Sequence, residues 1–121
     1  MPLTLELLRH GDALPAGPGG DVPRRLSPAG EQALRRLALR LAKDGWRPER
    51  VFASPLRRAR DSAQLVLEPL TPPVQIEIMD ELAHASEPAG ILAALAKRQA
   101  VEGCVLLVGH QPLIGLLAAH L

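Results

Sequence analysis

LTLELLRHGD, residues 3–12, is the segment from which both the fold and the function can be inferred. Its leucines alternate with polar residues, which predicts a β-strand, although Glu6 is unexpected in a strand covered on both faces. The strand leads directly into Arg9, His10 and Gly11. Ligands of open α/β sheets bind outside the carboxyl ends of the strands, so a guanidinium, an imidazole and a glycine there favour an anion site. A plain surface turn is the alternative interpretation of this segment alone.

The composition predicts one soluble globular domain over residues 1–121. The chain has 121 residues, of which 47% are hydrophobic and 22% charged, as is usual for such domains. A net charge of +1 gives no general attraction to nucleic acid or to an anionic membrane. One Trp, one Phe and no Tyr also argue against stacking on nucleic-acid bases. Any anion must therefore be bound by a few residues at one site rather than by the overall charge of the protein.

The single cysteine and the chain ends bear on the cellular compartment. Cys104 lies within the apolar sequence CVLLV, which excludes an internal disulfide and predicts a buried, inert thiol. The N-terminus has no basic segment followed by an apolar stretch and a cleavage site, so we expect a cytoplasmic protein. Residues 104–121 are strongly apolar, but His110, Gln111 and Pro112 interrupt them, which favours a strand, a turn and a helix over a membrane span.

Strand and helix patterns alternate along the rest of the chain. Further strands are predicted at residues 50–54, 74–78 and 104–108, the last of them central because it is apolar throughout. The spacing of apolar residues, together with a proline at each start, predicts four helices, which begin at Pro28, Pro55, Pro88 and Pro112. Ser27 is the expected N-cap of the first helix and Gly45 its end, and the second helix should run to about Leu67. Residues 13–25 and 80–87 are predicted loops, the first either a lid over the site or a passive surface loop. This alternation implies a mainly parallel sheet in a three-layer α/β/α sandwich.

Chemically active residues follow three of the predicted strands. A histidine stands beside a glycine at the ends of two of them, as His10 after the first and His110 after the fourth. If those strands are parallel neighbours, both imidazoles lie at the same edge of the sheet. The second strand leads into SPLRRARDSA, residues 54–63, where the N-terminus of a helix offers free amides and arginines. Together these features predict an anion pocket.

Four short motifs resemble one known family. They are RHGD at residues 9–12, LSPAG at 26–30, SPLRRARDSA at 54–63 and VGHQP at 108–112. Their order along nearly the whole chain resembles the histidine phosphatase superfamily, which includes the cofactor-dependent phosphoglycerate mutases, and within it the SixA-type phosphohistidine phosphatases. The resemblance implies a phosphoglycerate mutase-like fold and a phosphatase.

The resemblance also implies roles for individual residues. His10 would be the phosphorylated nucleophile, Arg9 and Arg58 would bind the phosphate, and His110 would complete the pocket. In the family pattern the phosphate-binding arginine precedes the alanine, which selects Arg58 over Arg57. Phosphoryl transfer itself requires the same kinds of side chain, because the planar guanidinium of arginine can donate to two phosphoryl oxygens at once. The attacking imidazole must be neutral, with its other nitrogen held by a backbone carbonyl. No metal and no cofactor are expected, since the two arginines and His110 supply the positive charge that a metal ion would otherwise provide.

Four further residues are candidates for supporting roles at the site. Family members commonly place an acidic residue after the third strand, which suggests Glu81 as general acid and then as base for the hydrolytic water, against a plain surface carboxylate. Ser54 is expected to donate to the phosphate, and Asp12 to shape the loop after the nucleophile. His84 is expected to be a solvated loop histidine rather than a substrate contact.

The chain departs from the family at its end and leaves the substrate open. It stops at Leu121, whereas SixA-like chains continue into a further strand, so we expect one histidine phosphatase domain without that strand, or a segment of a longer protein. An uncovered sheet edge would invite pairing with another molecule. The expected substrate is phosphohistidine on a signalling protein, or else a small phosphomonoester. The alternatives are a catalytically idle phosphate-binding module and, with less support, a metal site formed by His10, Asp12, His84 and His110.

Overall fold

A sheet of parallel strands and the helices that connect them account for the described part of the chain. The structure, a computed structural model, describes residues 2–11, 25–85, 87–111 and 113–120. The strands in these ranges are β1 (Leu3–Arg9), β2 (Arg50–Ala53), β3 (Ile76–Ile78) and β4 (Gly103–Gly109). The helices are α1 (Pro28–Lys43), α2 (Arg57–Leu67), α3 (Glu81–His84), α4 (Pro88–Lys97) and α5 (Leu113–His120).

The strands are arranged in the order β1-β4-β2-β3, and every neighbouring pair is parallel. The apolar strand β4 lies between β1 and β2, as its sequence predicts, because a parallel strand in the middle of a sheet is covered on both faces. Arg9 pairs with Gly109, and Ala53 pairs with Val108. This register brings the carboxyl ends of β1, β4 and β2 to one edge of the sheet.

Helices cover both faces of the sheet. Side chains alternate along a strand, so Val105 and Leu107 of β4 point to one face and Leu106 and Val108 to the other. The first face packs against α3, α4 and α5 through Leu82, Ile91, Leu95, Leu113 and Leu117. The second face packs against α1 and α2 through Ala38, Ala59, Ala63 and Val66. Each fully buried large aliphatic side chain contributes roughly 1.5–3 kcal/mol of transfer free energy. The predicted three-layer α/β/α sandwich is confirmed.

The boundaries of α1 follow from local chemistry. The Ser27 hydroxyl oxygen accepts the Gly30 N–H at 3.0 Å, so serine caps the helix, and Pro28 occupies the first turn, where it loses no hydrogen bond. The helix ends at Lys43, and Gly45 adopts φ +80°, which residues with a Cβ rarely do. Both predicted ends are confirmed.

Three predicted boundaries were wrong. The second helix begins at Arg57 rather than at Pro55, because the Ser54 hydroxyl oxygen accepts the Leu56 N–H at 3.3 Å and holds a turn before the helix. The third strand is limited to Ile76–Ile78, since residues 74 and 75 do not pair with β2. The predicted loop at residues 80–87 contains the one-turn helix α3, whose Leu82 is only 1% exposed. Burial of that apolar side chain explains why the backbone turns there.

Glu6 is accommodated by two polar partners. Its Oε1 accepts the Trp46 Nε1–H at 2.7 Å and the Cys104 thiol at 2.9 Å. Cys104 is half-buried rather than fully buried as predicted. Burial and the hydrogen bond to Glu6 raise the pKa of its thiol to about 11, so the group is protonated and unreactive near neutral pH.

Several predictions lie outside the described residues. These concern Asp12, the predicted loop from residue 13 to residue 24, and Pro112. Within the described ranges, no helix combines the length and the apolarity needed to span a bilayer. The cytoplasmic location and the single domain over residues 1–121 stay predictions.

Candidate active site

The backbone at the carboxyl edge of the sheet brings two histidines together. The His10 N–H donates to the Gly109 carbonyl at 3.1 Å, which extends the pairing of β1 and β4 by one residue. The Ser54 N–H donates to the Val108 carbonyl at 3.0 Å and does the same for β2. As a result the imidazole rings of His10 and His110 lie with their centroids 5.2 Å apart.

Two independent contacts define the tautomer of His10. Its Nδ1 lies 2.7 Å from the Gly11 carbonyl oxygen, and because a carbonyl can only accept, Nδ1 carries the proton. Its Nε2 lies 3.1 Å from Arg58 Nε, and because a guanidinium can only donate, Nε2 presents a lone pair. Both contacts therefore specify a neutral imidazole whose Nε2 is free of a proton.

The two neighbouring arginines of α2 have different surroundings. Arg58 is 6% exposed and directs its guanidinium at His10. The side chain of Arg57 is 42% exposed and pairs with Asp61 at 3.4 Å. Successive helical residues are about 100° apart around the axis, so only one of the two can face the sheet. The structure places Arg58 there and Arg57 on the surface.

The Ser54 hydroxyl lies against the second histidine. Its oxygen is 2.6 Å from His110 Nε2, and Ser54 is fully buried. Since the same oxygen accepts the Leu56 N–H, it ties His110 to the turn that precedes α2. The chain of contacts Ser54, His110, His10 and Arg58 thus brings together four of the residues singled out in the sequence.

Arg9 and Glu81 do not join these contacts. Arg9 is the last residue of β1, and its side chain is exposed next to His10. Glu81 begins α3, and its carboxylate accepts from Arg98 Nη2 at 3.0 Å and Nη1 at 3.3 Å. A hydrogen bond from its own backbone and then the contact with Arg98 lower the pKa of Glu81, so it is a carboxylate at neutral pH. A general acid must instead be protonated when the reaction begins.

Sequence reasoning missed Ser62. Its hydroxyl oxygen accepts the Gly11 N–H at 3.0 Å and donates to the Arg58 carbonyl at 2.7 Å. The residue is 0% exposed, so a polar side chain lies on the apolar face of α2. The available signal was its spacing, because four residues after Arg58 is the same face of the helix.

No described group suggests a metal centre. Across residues 2–11, 25–85, 87–111 and 113–120, no three His, Cys, Asp or Glu side chains are grouped so that they could hold an ion. His84, one of the residues in the alternative metal site, is exposed on α3, as expected for a solvated histidine. Asp12, another of them, lies outside the described residues.

Known proteins share both the sequence pattern and the fold. The model of the histidine phosphatase superfamily (branch 1) matches residues 5–86. Phosphohistidine phosphatase SixA of Escherichia coli (strain K12) is 32% identical over 117 residues, which are 95% of this chain and 71% of that protein. A 2,3-bisphosphoglycerate-dependent phosphoglycerate mutase of Thermobifida fusca is 44% identical over 68 residues, but these are 54% of this chain and 28% of the mutase.

Solved structures of SixA proteins have the same fold as this chain. A SixA structure from Agrobacterium tumefaciens has a TM-score of 0.82 at 28% identity and covers 96% of this chain and 74% of its own. The structure of the protein histidine phosphatase SixA with tungstate has a TM-score of 0.76 at 30% identity, covering 95% and 74%. The α/β fold is therefore phosphoglycerate mutase-like, as predicted. This chain belongs to the histidine phosphatase superfamily (branch 1), is similar to the SixA proteins within it, and is a phosphatase.

Proposed function

We propose that this phosphatase transfers the phosphoryl group of its substrate to His10 Nε2 and then to water. The observation that supports this most directly is the tautomer of His10. Nδ1 donates to the Gly11 carbonyl and Nε2 faces the Arg58 guanidinium, so the nitrogen with the lone pair is the one beside the cation. A nucleophile for phosphoryl transfer needs this state, and a module that only binds phosphate does not.

The first step forms one bond and breaks one bond. His10 Nε2 attacks phosphorus as the bond to the leaving group breaks, and the charge on the equatorial oxygens requires cationic donors. Arg58 Nε–H turns from Nε2 to a phosphoryl oxygen as the substrate enters. We assign phosphate binding to His110, whose ring lies beside that of His10, and to Arg9, the exposed residue that precedes His10. The proton on Nδ1 stays on the imidazole, where the Gly11 carbonyl stabilises the added positive charge.

The second step returns His10 to its starting state. Water attacks phosphorus, the bond to Nε2 breaks, and inorganic phosphate leaves. We propose Glu81 as the base that takes the proton of this water, because it is a carboxylate at neutral pH and the next residue of α3, Leu82, packs against Gly109 beside His110. Glu81 then returns this proton to solvent, and the leaving group of the first step, which departs with the electron pair of the broken bond, takes a proton from solvent. To act also as the acid of the first step, Glu81 would have to release Arg98 and gain a proton. Ser54 acts on the phosphate through His110, whose Nε2 its hydroxyl contacts.

For the substrate we propose phosphohistidine on a protein. The similarity to SixA, a protein named for this activity, supports the choice, and a tetrahedral oxyanion is bound in the SixA structure with tungstate. Arg9 precedes the nucleophile and is exposed, so a phosphate displayed on a protein surface can reach this cation. Small phosphomonoesters are the second candidate. A competition between a phosphohistidine-bearing protein and a panel of phosphate esters, compared as kcat/KM, separates the two.

Hydrolysis of an aryl phosphate in the presence of EDTA tests the proposed chemistry. We expect turnover without an added metal ion, competitive inhibition by vanadate, and loss of activity in His10→Ala by at least about 10³-fold, since the nucleophile is removed. His84→Ala is the matched control, because this exposed histidine should leave the rate unchanged. Unchanged turnover in His10→Ala would overturn the proposal. A requirement for a divalent ion would favour the metal site instead.

A further inference from the structure

The buried hydroxyl of Ser62 connects two parts of the candidate active site. It accepts the N–H of Gly11, in the segment after β1, and donates to the carbonyl of Arg58, in the first turn of α2. These residues are 51 and 4 positions away from Ser62 in the sequence. A single side chain therefore bridges the segment that contains the nucleophile and the turn that contains the arginine.

The segment held by Ser62 determines the state of His10. The Gly11 N–H belongs to the peptide bond that follows His10, and the Gly11 carbonyl is the acceptor for His10 Nδ1 at 2.7 Å. Glycine rotates more freely than any other residue, so this carbonyl would be poorly oriented without a restraint. Packing supplies one restraint, because a Cβ on Gly11 would come 2.9 Å from Leu34 Cδ1. The hydrogen bond that the Gly11 N–H donates to the Ser62 hydroxyl supplies another.

We propose that Ser62 is a positioning residue for the reaction, an inference that rests on the proposed function of His10. By accepting the Gly11 N–H, its hydroxyl fixes the peptide between His10 and Gly11, and this restrains the start of the residue whose carbonyl holds the Nδ1–H tautomer. Through the Arg58 carbonyl, it also sets the distance between the arginine and His10 Nε2. It touches neither the phosphoryl group nor the leaving group.

A purely structural role for Ser62 predicts something different. Buried serines in helices often donate to the carbonyl four residues earlier, which explains the contact with Arg58 without reference to function. It does not explain why the same oxygen accepts the Gly11 N–H. Loss of a structural hydroxyl would lower stability, whereas loss of a positioning hydroxyl would change the tautomer of His10 and slow the chemical step.

The test compares Ser62→Ala with Ser27→Ala. Ser27 is a second buried serine that accepts a backbone N–H, that of Gly30 at the start of α1, so its removal should lower stability through the loss of a helix cap. We expect kcat for an aryl phosphate to fall about ten- to a hundredfold in Ser62→Ala with little change in KM, because misplaced reacting groups cost about that much. Ser27→Ala should keep the wild-type kcat.

Nitrogen-15 NMR of the imidazoles, recorded without substrate, provides the decisive readout. We expect the Nδ1–H form of His10 in the wild type and in Ser27→Ala, and a mixture of both tautomers in Ser62→Ala. A pure Nδ1–H form in Ser62→Ala, or an equal loss of kcat in Ser27→Ala, would overturn the inference. Either result would leave the proposed function intact, whereas an active His10→Ala variant would remove that function whatever the tautomer.

Discussion

The two ends of the paired strands β1 and β4 differ in charge. Beyond their carboxyl ends lie His10, His110 and the guanidinium of Arg58. Toward the amino ends lie carboxylates: Glu6 accepts from the Cys104 thiol, and a Cβ on Gly103 would collide with the carboxylate of Glu49. The net charge of +1 hides this separation.

Each end also contains a nucleophilic side chain, and its neighbours determine its state. Burial of Cys104 and then the neighbouring carboxylates raise the pKa of its thiol to about 11, so the reactive thiolate is absent at neutral pH. The arginine beside His10 can only donate, so Nε2 keeps its lone pair. Histidine is the weaker nucleophile as a residue type, yet it is the one with a usable electron pair. The burial of a group and the charges around it therefore indicate the reactive end better than its residue type does.

The largest effect is expected when the cation at the carboxyl end is removed. Arg58→Ala should lower kcat/KM for an aryl phosphate by about 10³-fold, because a charged donor to the phosphoryl oxygens is lost. Steady-state kinetics measures this, with Arg57→Ala as the control on the same helix turn. Arg57 pairs with Asp61 at the surface, so its removal should change kcat/KM little. A wild-type rate in Arg58→Ala would show that the buried cation is not what makes this end reactive.

A carboxylate near the reactive end is expected to matter less. Glu81→Gln should lower kcat by about 10²-fold if this side chain moves protons, in the range found for general acid and base catalysis. The pH dependence of kcat distinguishes that role, because we expect an acidic limb in the wild type and its absence in the variant. An unchanged rate and profile would make Glu81 a plain surface carboxylate that pairs with Arg98.

The ion pair of Glu81 and Arg98 should contribute a small, pH-dependent stability. Their side chains are 34% and 28% exposed, so solvent limits the contribution to less than about 1 kcal/mol. The pKa of Glu81 is lowered in the folded state, so the contribution is present above the ordinary glutamate value of about 4.3 and disappears as the pH falls through the folded value. In urea unfolding, the difference between Arg98→Met and wild type should therefore be largest at pH 7 and shrink as the pH falls through the folded pKa of Glu81; the part that remains belongs to the hydrogen bond from Arg98 to the Ala94 carbonyl. A difference that does not change with pH would contradict this explanation.

The smallest effect is expected from a substitution toward the amino ends of β1 and β4, where the carboxylates lie. Glu6→Gln removes one cause of the raised pKa of Cys104, so the thiol should react faster with iodoacetamide at pH 8.5, by less than about tenfold because burial remains the larger cause. Phosphatase activity should stay at the wild-type level, since Glu6 contacts Trp46 and Cys104 rather than the histidines. Activity that fell together with this change would mean that the two ends are not independent.

Local patterns were sufficient to predict most of the fold. The uninterrupted apolar sequence of β4 indicated a central strand, and Ser27 with Pro28 indicated the start of α1, because both signals depend on neighbouring residues alone. The short helix α3 was missed because its four residues are too few for a periodic pattern. Leu82 packs below Gly109, 27 positions later in the chain, and sequence spacing does not reveal that contact.

The candidate site was predictable to the extent that backbone topology determines it. Parallel neighbouring strands bring their carboxyl ends together, so the proximity of His10 and His110 followed from strand prediction. The contact of Arg98 with Glu81 and that of Ser62 with Gly11 were not predicted. Each joins side chains from separate elements, and it depends on helix rotation and rotamers that the sequence pattern does not specify.

The most direct test of the proposed mechanism is rapid quenching of the enzyme with substrate, followed by mass spectrometry of its peptides. We predict one phosphate on His10, labile in acid and stable in base, that forms and decays at rates consistent with kcat. Full turnover without phosphate on the peptide that contains His10, or phosphate on a different residue, would contradict the account.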